Sequence, residues 1–393
     1  MTTASASLER FAASKLAGLD RRNLRRRTRE TLPLGGALVE RDGRQLINAC
    51  SNDYLGLSQH PDVTAAAAAA ACRYGAGAGA SRLVTGGHPL LFDLEARLAT
   101  FKGTEDCLVF GSGYLANLAI TPALVGKGDI VFVDSLAHAC LHAGARLSGA
   151  RVETFPHNDM AALASRLTEL RGDHRHAMIL TDGVFSMDGD LAPLPDLLAL
   201  ADRHNAWTLV DDAHGIGVIG NGHGSTHAFQ PPVTPPLQMG TLSKALGSYG
   251  GYVCASKDVC DLLRTRARPL VFTTALPPAS IAAALTALDL IARDPVLRDR
   301  PMRLARRFCR ALGLAEPASP IVPIIIGKEA DALAASATLE TAGFLVTAIR
   351  PPTVPRGTAR LRVTFNAAHS EADIDRLAST LKSILQPAEA AES

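Results

Sequence analysis

One lysine, Lys244, sits in Thr241-Leu242-Ser243-Lys244-Ala245-Leu246-Gly247, among small and hydroxylated residues behind a short apolar lead-in. A lysine amine condenses with an aldehyde only where it is held close and partly desolvated, so that its neutral form is reachable. Small neighbours admit a bulky ring, and the hydroxyls of Thr241 and Ser243 can donate to a phosphate. Alone, Lys244 could as well be a surface lysine in a polar loop. What precedes it in the chain tips the reading.

Val210-Asp211-Asp212-Ala213-His214-Gly215 runs an apolar segment into a carboxylate, with a histidine three residues on. A buried carboxylate needs a partner charge. A protonated pyridine nitrogen is one, and His214 could then donate to the phenolic oxygen of the same ring. Further upstream, Gly111-Ser112-Gly113-Tyr114 follows an apolar strand and opens a helix. Free backbone N–H groups and the helix dipole make such a turn an anion site, and Tyr114 could border a ring. The turn has neither the G-x-G-x-x-G nor the G-x-x-x-x-G-K-[ST] spacing, so it is no dinucleotide fingerprint and no P-loop. His138 lies a few residues past the apolar run 130–133, where an open α/β sheet would bind a ligand, and Ser186 lies in a loop after residues 177–181. Each has a plain structural alternative: a tight turn for the glycines, a capping or core role for His138, a cap for Asp211, a loop serine for Ser186. Their order is what matters. Phosphate turn, histidine, carboxylate and lysine are the set that pyridoxal phosphate requires, with anion donors for its phosphate, an acid for its ring nitrogen and an amine for its aldehyde.

The elements that must position these residues follow from periodicity. Short apolar runs at 107–110, 130–133, 152–155, 177–181, 208–210 and 252–254 alternate with helical stretches such as 89–101, 115–124 and 194–204. Strand–helix alternation predicts an α/β domain, with a largely parallel sheet covered by helices on both faces. Residues 256–312 read as mainly helical, and from about 313 strands (321–326, 361–365) mix with helices (329–342, 371–385) as a smaller α+β domain. Ahead of the sheet, residues 5–30 read as a helical arm ending in Arg21, Arg22, Arg25, Arg26, Arg27 and Arg29, and residues 37–47 read as a β-hairpin around Asp42-Gly43. The arginines suit a solvated face, or one or two of them grip an anionic substrate. The expected division is 1–50 for arm and hairpin, 51–290 for a large cofactor-binding domain and 291–393 for the C-terminal α+β domain; residues 387–393 read as disordered.

Composition narrows the class. The 393 residues carry a net charge of +2, with 20% charged and 47% hydrophobic residues, so neither nucleic acid nor an anionic membrane is indicated as a partner. The seven cysteines include no C-x-x-C and sit mostly in apolar contexts; they read as reduced thiols, not as disulfides or a metal site. The N-terminal stretch has no apolar core of a secretory leader, and the alanine run at 65–71 is too short to span a bilayer. A soluble, cytoplasmic, metal-free protein is expected.

Seven motifs in one order give the chain a family resemblance from about Arg25 to His369. They are Ser51-Asn52-Asp53-Tyr54-Leu55-Gly56-Leu57, Gly77-Ala78-Gly79-Ala80-Ser81-Arg82-Leu83-Val84-Thr85-Gly86, Gly183-Val184-Phe185-Ser186-Met187-Asp188-Gly189, Val210 to Gly215, Thr241 to Lys244, Phe272-Thr273-Thr274-Ala275-Leu276-Pro277-Pro278, and Ala348-Ile349-Arg350-Pro351-Pro352-Thr353-Val354-Pro355. On these the chain resembles the α-oxoamine synthases, pyridoxal-phosphate enzymes with the aspartate-aminotransferase-like fold (fold type I). The resemblance implies a large domain with a seven-stranded sheet, a smaller C-terminal domain, and a homodimer with its active site at the subunit interface. It also implies decarboxylative condensation of an amino acid with an acyl-CoA thioester. The wording at 81–86 and 348–355 points to L-alanine and pimeloyl-CoA; siblings that use glycine, such as glycine C-acetyltransferase and 5-aminolevulinate synthase, are the alternative.

By the same resemblance Lys244 forms the aldimine with the cofactor and later removes the Cα proton. Asp211 pairs with the pyridinium, His214 bonds the phenolic oxygen, and His138 stacks on the ring and assists acylation and decarboxylation. Ser112, Gly113, Tyr114 and Thr241 lie near the phosphate, joined by Thr273 and Thr274 of the partner subunit. Arg362, with Asn52 and Ser186, holds the α-carboxylate, and Arg25 and Thr353 contact substrate. Two further readings stand outside this family: a non-catalytic pyridoxal-phosphate sensor, for which no DNA-binding domain is visible, and a nicotinamide enzyme, for which the glycine fingerprint is missing.

Overall fold

The computed structural model describes residues 3–385. The expectation of disorder at 387–393 lies outside them. The arm helix, Thr3–Asp20, is shorter than the pattern predicts. It stops because Asn23 takes a left-handed conformation (φ 54°), while Leu24 N–H bonds Leu19 O at 2.9 Å and Asn23 N–H bonds Asp20 O at 3.0 Å. This Schellman-type closure ends a helix whatever follows it. Arg25 to Arg29 therefore lie on a non-helical segment, and Arg29 pairs with Glu340 at 2.9 Å in the C-terminal part of the chain.

The hairpin is formed by Leu38–Arg41 and Arg44–Asn48 around Asp42 (φ 50°) and Gly43 (φ 70°), the two positive φ values a two-residue turn of this kind demands. Leu32–Gly35 adds to one edge, and Phe344–Leu345 pairs in parallel with Arg44–Asn48 at the other. Ile47 and Ala49 share a core with Leu304, Phe308, Phe344 and Phe365, so the hairpin is built into the C-terminal unit.

The central sheet has seven strands in the order Asp106–Phe110, Gly251–Ala255, Leu237–Thr241, Trp207–Asp211, Ala177–Asp182, Ile130–Asp134, Arg151–Phe155. All pairings are parallel except those of Gly251–Ala255, which runs against both neighbours. Strands such as Ile130–Asp134 and Ala177–Asp182 are buried along their whole length, as a sheet covered on both faces requires. One face packs on Tyr54, Leu91, Leu94, Leu98 and the helix Pro278–Arg293; the other packs on Ala116, Ile120, Leu141 and Leu263. No helix among the described residues is long and apolar enough to cross a membrane.

The strand Leu237–Thr241 is absent from the sequence reading. It carries Gln238 and Gly240 in place of an apolar run, and Gly240 is needed because a Cβ there would lie 2.3 Å from the Tyr252 hydroxyl of the neighbouring strand. The C-terminal unit has an antiparallel sheet in the order Ile321–Gly327, Ala359–Thr364, Thr347–Ile349, with the helices Pro295–Leu312, Glu329–Thr341 and Glu371–Leu385 around it. Arg360 and Arg362 alternate on its central strand, so both side chains leave by one face. That face meets the 183–191 loop: Arg360 pairs with Asp188, and Arg362 Nε donates to Ser186 O.

Beneath the large-domain site lies an ion pair cut off from water. Lys102 Nζ is 3.1 Å from Asp212 Oδ2 and also donates to His223 O; the two side chains are 0% and 1% exposed. Asp212 Oδ1 in turn accepts Ser225 N–H at 2.9 Å. Removing one partner of such a pair strands a charge. Lys102→Ala is expected to lower unfolding free energy by roughly 3–5 kcal/mol, with Lys102→Met/Asp212→Asn recovering most of the loss, measured by denaturant titration.

Candidate active site

The C-terminal ends of the parallel strands converge on a cavity of about 230 Å³. Its wall includes Ser112, Gly113 and Tyr114 after the first strand, His138 after Ile130–Asp134, Asp182, Asp211 with His214, and Thr241 with Lys244. Eight of the residues singled out by sequence thus come together in one place, at the position where open α/β sheets bind their ligands.

The anion end is the turn into the helix Gly113–Leu124. Ser112 caps it, its Oγ accepting Leu115 N–H at 3.2 Å, and the N–H groups of Gly113 and Tyr114 open the helix without an intrahelical acceptor. The turn lies so close to the strand Gly251–Ala255 that a Cβ on Gly251 would sit 2.4 Å from Gly113 N. Thr241 faces the same turn; its hydroxyl donates to Gly250 O at 2.8 Å and accepts from Ser243 Oγ at 2.8 Å.

At the opposite end Asp211 is gripped by two donors. Asn117 Nδ2 reaches Oδ2 at 2.6 Å and Ala213 N–H reaches Oδ1 at 3.0 Å. Asp182 is its register partner on the next strand and accepts the His138 N–H at 3.2 Å. Burial, and then the charge of Asp211 beside it, push the Asp182 carboxyl well above the usual range.

Lys244 Nζ lies 2.8 Å from His214 Nε2, and His214 Nδ1 lies 2.6 Å from the Tyr54 hydroxyl. Arg362 Nη2 donates to the Tyr54 oxygen at 3.3 Å. With that oxygen accepting from Arg362, the tyrosine proton points at Nδ1 and the imidazole N–H at Nε2 faces the lysine; the network assigns this tautomer. Burial lowers His214 well below its ordinary value, with Lys244 and then Arg362 adding to the effect, so the ring is neutral. Burial also lowers Lys244 from 10.5, opposed mainly by Asp211 and then Asp182.

The residues expected to hold a carboxylate meet beside this cavity. Arg362 Nη1 donates to Asn52 Oδ1 at 3.0 Å and Nε donates to the backbone carbonyl of Ser186, the residue's main chain and not its hydroxyl. Thr273 and Thr274 lie elsewhere: Thr274 bridges Ser81, and Thr273 stands next to Gly111, outside the cavity wall. Arg25 pairs with Asp20 at 2.8 Å, whereas Arg26 donates to Thr353 Oγ1 at 2.7 Å. Arg26, Arg27, Arg350 and Thr353 line a second cavity of about 330 Å³ with Thr347, the register partner of Arg362.

Sequence reasoning passed over Tyr54, Asn117, Cys140 and Asp182. A buried asparagine in the largely apolar helix Gly113–Leu124 was a signal for one of them. Arg82, given no role from sequence, is structural: it forms a buried bidentate pair with Glu95 at 2.7 Å, and Glu95 also accepts Val109 N–H.

Taken as chemistry, the cavity offers N–H and hydroxyl donors at one end, carboxylates at the other and a desolvated amine between them. That donor set fits pyridoxal 5′-phosphate. Since Asp211 holds the Lys244 pKa up against burial, Asp211→Asn is expected to lower it further, by roughly one unit or more. The pH dependence of Lys244 modification by a small acylating reagent, read by peptide mass spectrometry, measures that shift.

Comparison with known proteins agrees. The model of the aminotransferase class I and II family matches residues 44–381. An 8-amino-7-oxononanoate synthase of Maricaulis maris is 86% identical over 392 residues, covering 100% of both chains. A solved structure of SPT with a PLP internal aldimine superposes with a TM-score of 0.89 at 30% identity, over 95% of this chain and 96% of that one. An 8-amino-7-oxononanoate synthase of Francisella tularensis gives 0.73 at 26% identity, over 86% and 97%. With its cavity, its fold and these relatives, the chain belongs to the class I and II aminotransferase family and, within it, to the pyridoxal-phosphate-dependent 8-amino-7-oxononanoate synthases.

Proposed function

We propose that the chain condenses L-alanine with a pimeloyl thioester, pimeloyl-CoA, to give 8-amino-7-oxononanoate, CoA and CO2 in biotin biosynthesis. The reading rests on the one cavity in which Lys244 touches His214 at 2.8 Å with Asp211 in the same wall. Pyridoxal phosphate bound there supplies an aldehyde for the amino group and a protonated ring that absorbs the charge left at Cα.

The chain's own residues do the rest. Asp211, held by Asn117 and Ala213, would keep the ring nitrogen protonated. Ser112, Gly113, Tyr114 and Thr241 would hold the phosphate, and His214 Nε2–H would donate to the phenolic oxygen. Arg362 with Asn52, and Ser186 beside them, would orient the alanine carboxylate, which decides which Cα bond stands across the ring. Lys244, whose basicity burial lowers, would take the Cα proton. His138 at the cavity wall would serve the acylation and decarboxylation steps. In balance, the Cα–H and thioester C–S bonds break as a Cα–acyl carbon bond forms, the Cα–carboxylate bond then breaks to give CO2, and one proton returns to Cα and one goes to the CoA thiolate.

A dicarboxylic acyl chain needs a second anion site. The cavity of Arg26, Arg27, Arg350 and Thr353 supplies one, on the same small sheet as Arg362. Arg26 donates to Thr353, one of the residues expected to contact substrate. The expected cytoplasmic setting agrees with seven unpaired cysteines among the described residues, five of them buried. A homodimer, in which Thr273 and Thr274 reach the cofactor phosphate of the other subunit, agrees with Leu83, Val84, Phe92 and Phe272, exposed by 56–75% around the Ser81–Thr274 bridge.

A substrate matrix tests the reading. With pyridoxal phosphate present, CoA release is expected from L-alanine plus pimeloyl-CoA above all other pairings; turnover only with glycine, or preference for acetyl- or succinyl-CoA, contradicts it. Arg26→Ala is expected to raise KM for pimeloyl-CoA roughly 10-fold or more with little change in kcat. A thioester lacking the distal carboxylate should show no such difference.

A further inference from the structure

Cys140 stands in the cavity wall between two groups of the site, and nothing in the mechanism above uses it. Its Sγ is 2.7 Å from His138 Nδ1 and 3.1 Å from Asn117 Nδ2. The second nitrogen's other proton goes to Asp211 Oδ2 at 2.6 Å. One asparagine amide thus joins the carboxylate to the thiol, and the thiol joins it to the ring-face histidine.

The directions of these bonds are fixed by what each group can do. His138 caps the helix Ala139–Ser148, its Nδ1 accepting Cys140 N–H at 3.3 Å. A backbone N–H only donates, so Nδ1 carries a lone pair. Asn117 Nδ2 also only donates, so Sγ accepts from it and turns its own S–H toward Nδ1. Burial pushes the Cys140 thiol up to about 12, which keeps the proton on sulfur, and burial lowers His138, which keeps the ring neutral. The imidazole proton is left on Nε2.

We propose that Cys140, oriented by Asn117, is a positioning residue that holds His138 as the neutral Nε2–H tautomer. This deepens the reading of the active site and rests on it: His138 then meets the substrate as a hydrogen-bond donor, and the same amide that grips Asp211 sets the donor's direction. The charged and titratable groups facing His138 are Asp182 and Asp211 from the neighbouring strand ends, Lys244 and His214 from across the cavity, and Cys140 on its own helix. Lys244 disfavours the imidazolium and Asp211 favours it; the thiol and the Cys140 backbone N–H both disfavour it by hydrogen bonding to the lone pair.

The test uses the full chain loaded with pyridoxal phosphate. Nitrogen chemical shifts of His138, by NMR of 15N-histidine-labelled protein across pH, report tautomer and pKa; the acid limb of the kcat–pH profile reports the same group in turnover. Removing the donor destabilises only the neutral ring, so Cys140→Ala is expected to raise the His138 pKa by roughly 0.5–1 unit and to move the acid limb upward by as much. Cys140→Val removes the donor with better filling of the space and stands in if the alanine variant fails to fold. Cys140→Ser, whose hydroxyl can still donate to Nδ1, should keep the wild-type shifts and profile. The proposal is overturned if the alanine or valine variant leaves the His138 shifts and pKa unchanged, or if serine moves them as far as alanine does. The NMR titration needs no substrate, so it stands or falls separately from the substrate matrix.

Discussion

Two carboxylates forced side by side in the interior set the terms for this structure. Parallel pairing aligns Asp182 with Asp211 at the ends of adjacent strands, where both are buried. Water cannot screen them there, so the protein must supply donors and positive charge. It does so from several elements at once: Asn117 from a helix, the His138 and Ala213 N–H groups from loops, and Lys244 from beyond the next strand. Lys102 neutralises the neighbouring Asp212 from behind. Asp211, held by two donors in the cavity wall, is the carboxylate that a cationic ring nitrogen would pair with.

Balance between the carboxylates and the buried amine also explains why Lys244 is useful. Burial lowers its basicity; Asp211 and Asp182 hold part of it. His214, neutral and tied to Tyr54, gives it a neighbour that does not repel it. Tyr54 leads to Arg362, and Arg362 leads to the small domain and the 183–191 loop. The arginine proposed to hold the substrate carboxylate, the docking of the small domain and the lysine environment therefore share one chain of contacts.

Much of the chemistry was legible in the sequence because it is carried by strand ends. Hydrophobic runs locate the strands, and the residues just after them are the ones a parallel sheet brings together; Ser112, His138 and Asp211 were found that way, and Lys244 by its small and hydroxylated neighbours. What was not legible depends on contacts between distant segments or on single-residue geometry. Tyr54 and His214, or Asn117 and Asp211, meet only once the fold is known. The strand Leu237–Thr241 escaped because Gly240 is set by the Tyr252 ring and not by periodicity. The closure at Asn23 ended the arm helix early, and in the segment beyond it Arg26 reaches Thr353.

Reduction of the pyridoxal-phosphate-loaded chain with borohydride, followed by peptide mapping, tests the central claim most directly. The reduced cofactor should be found on Lys244 alone. Covalent cofactor on any other lysine, with Lys244 unmodified, would contradict the account.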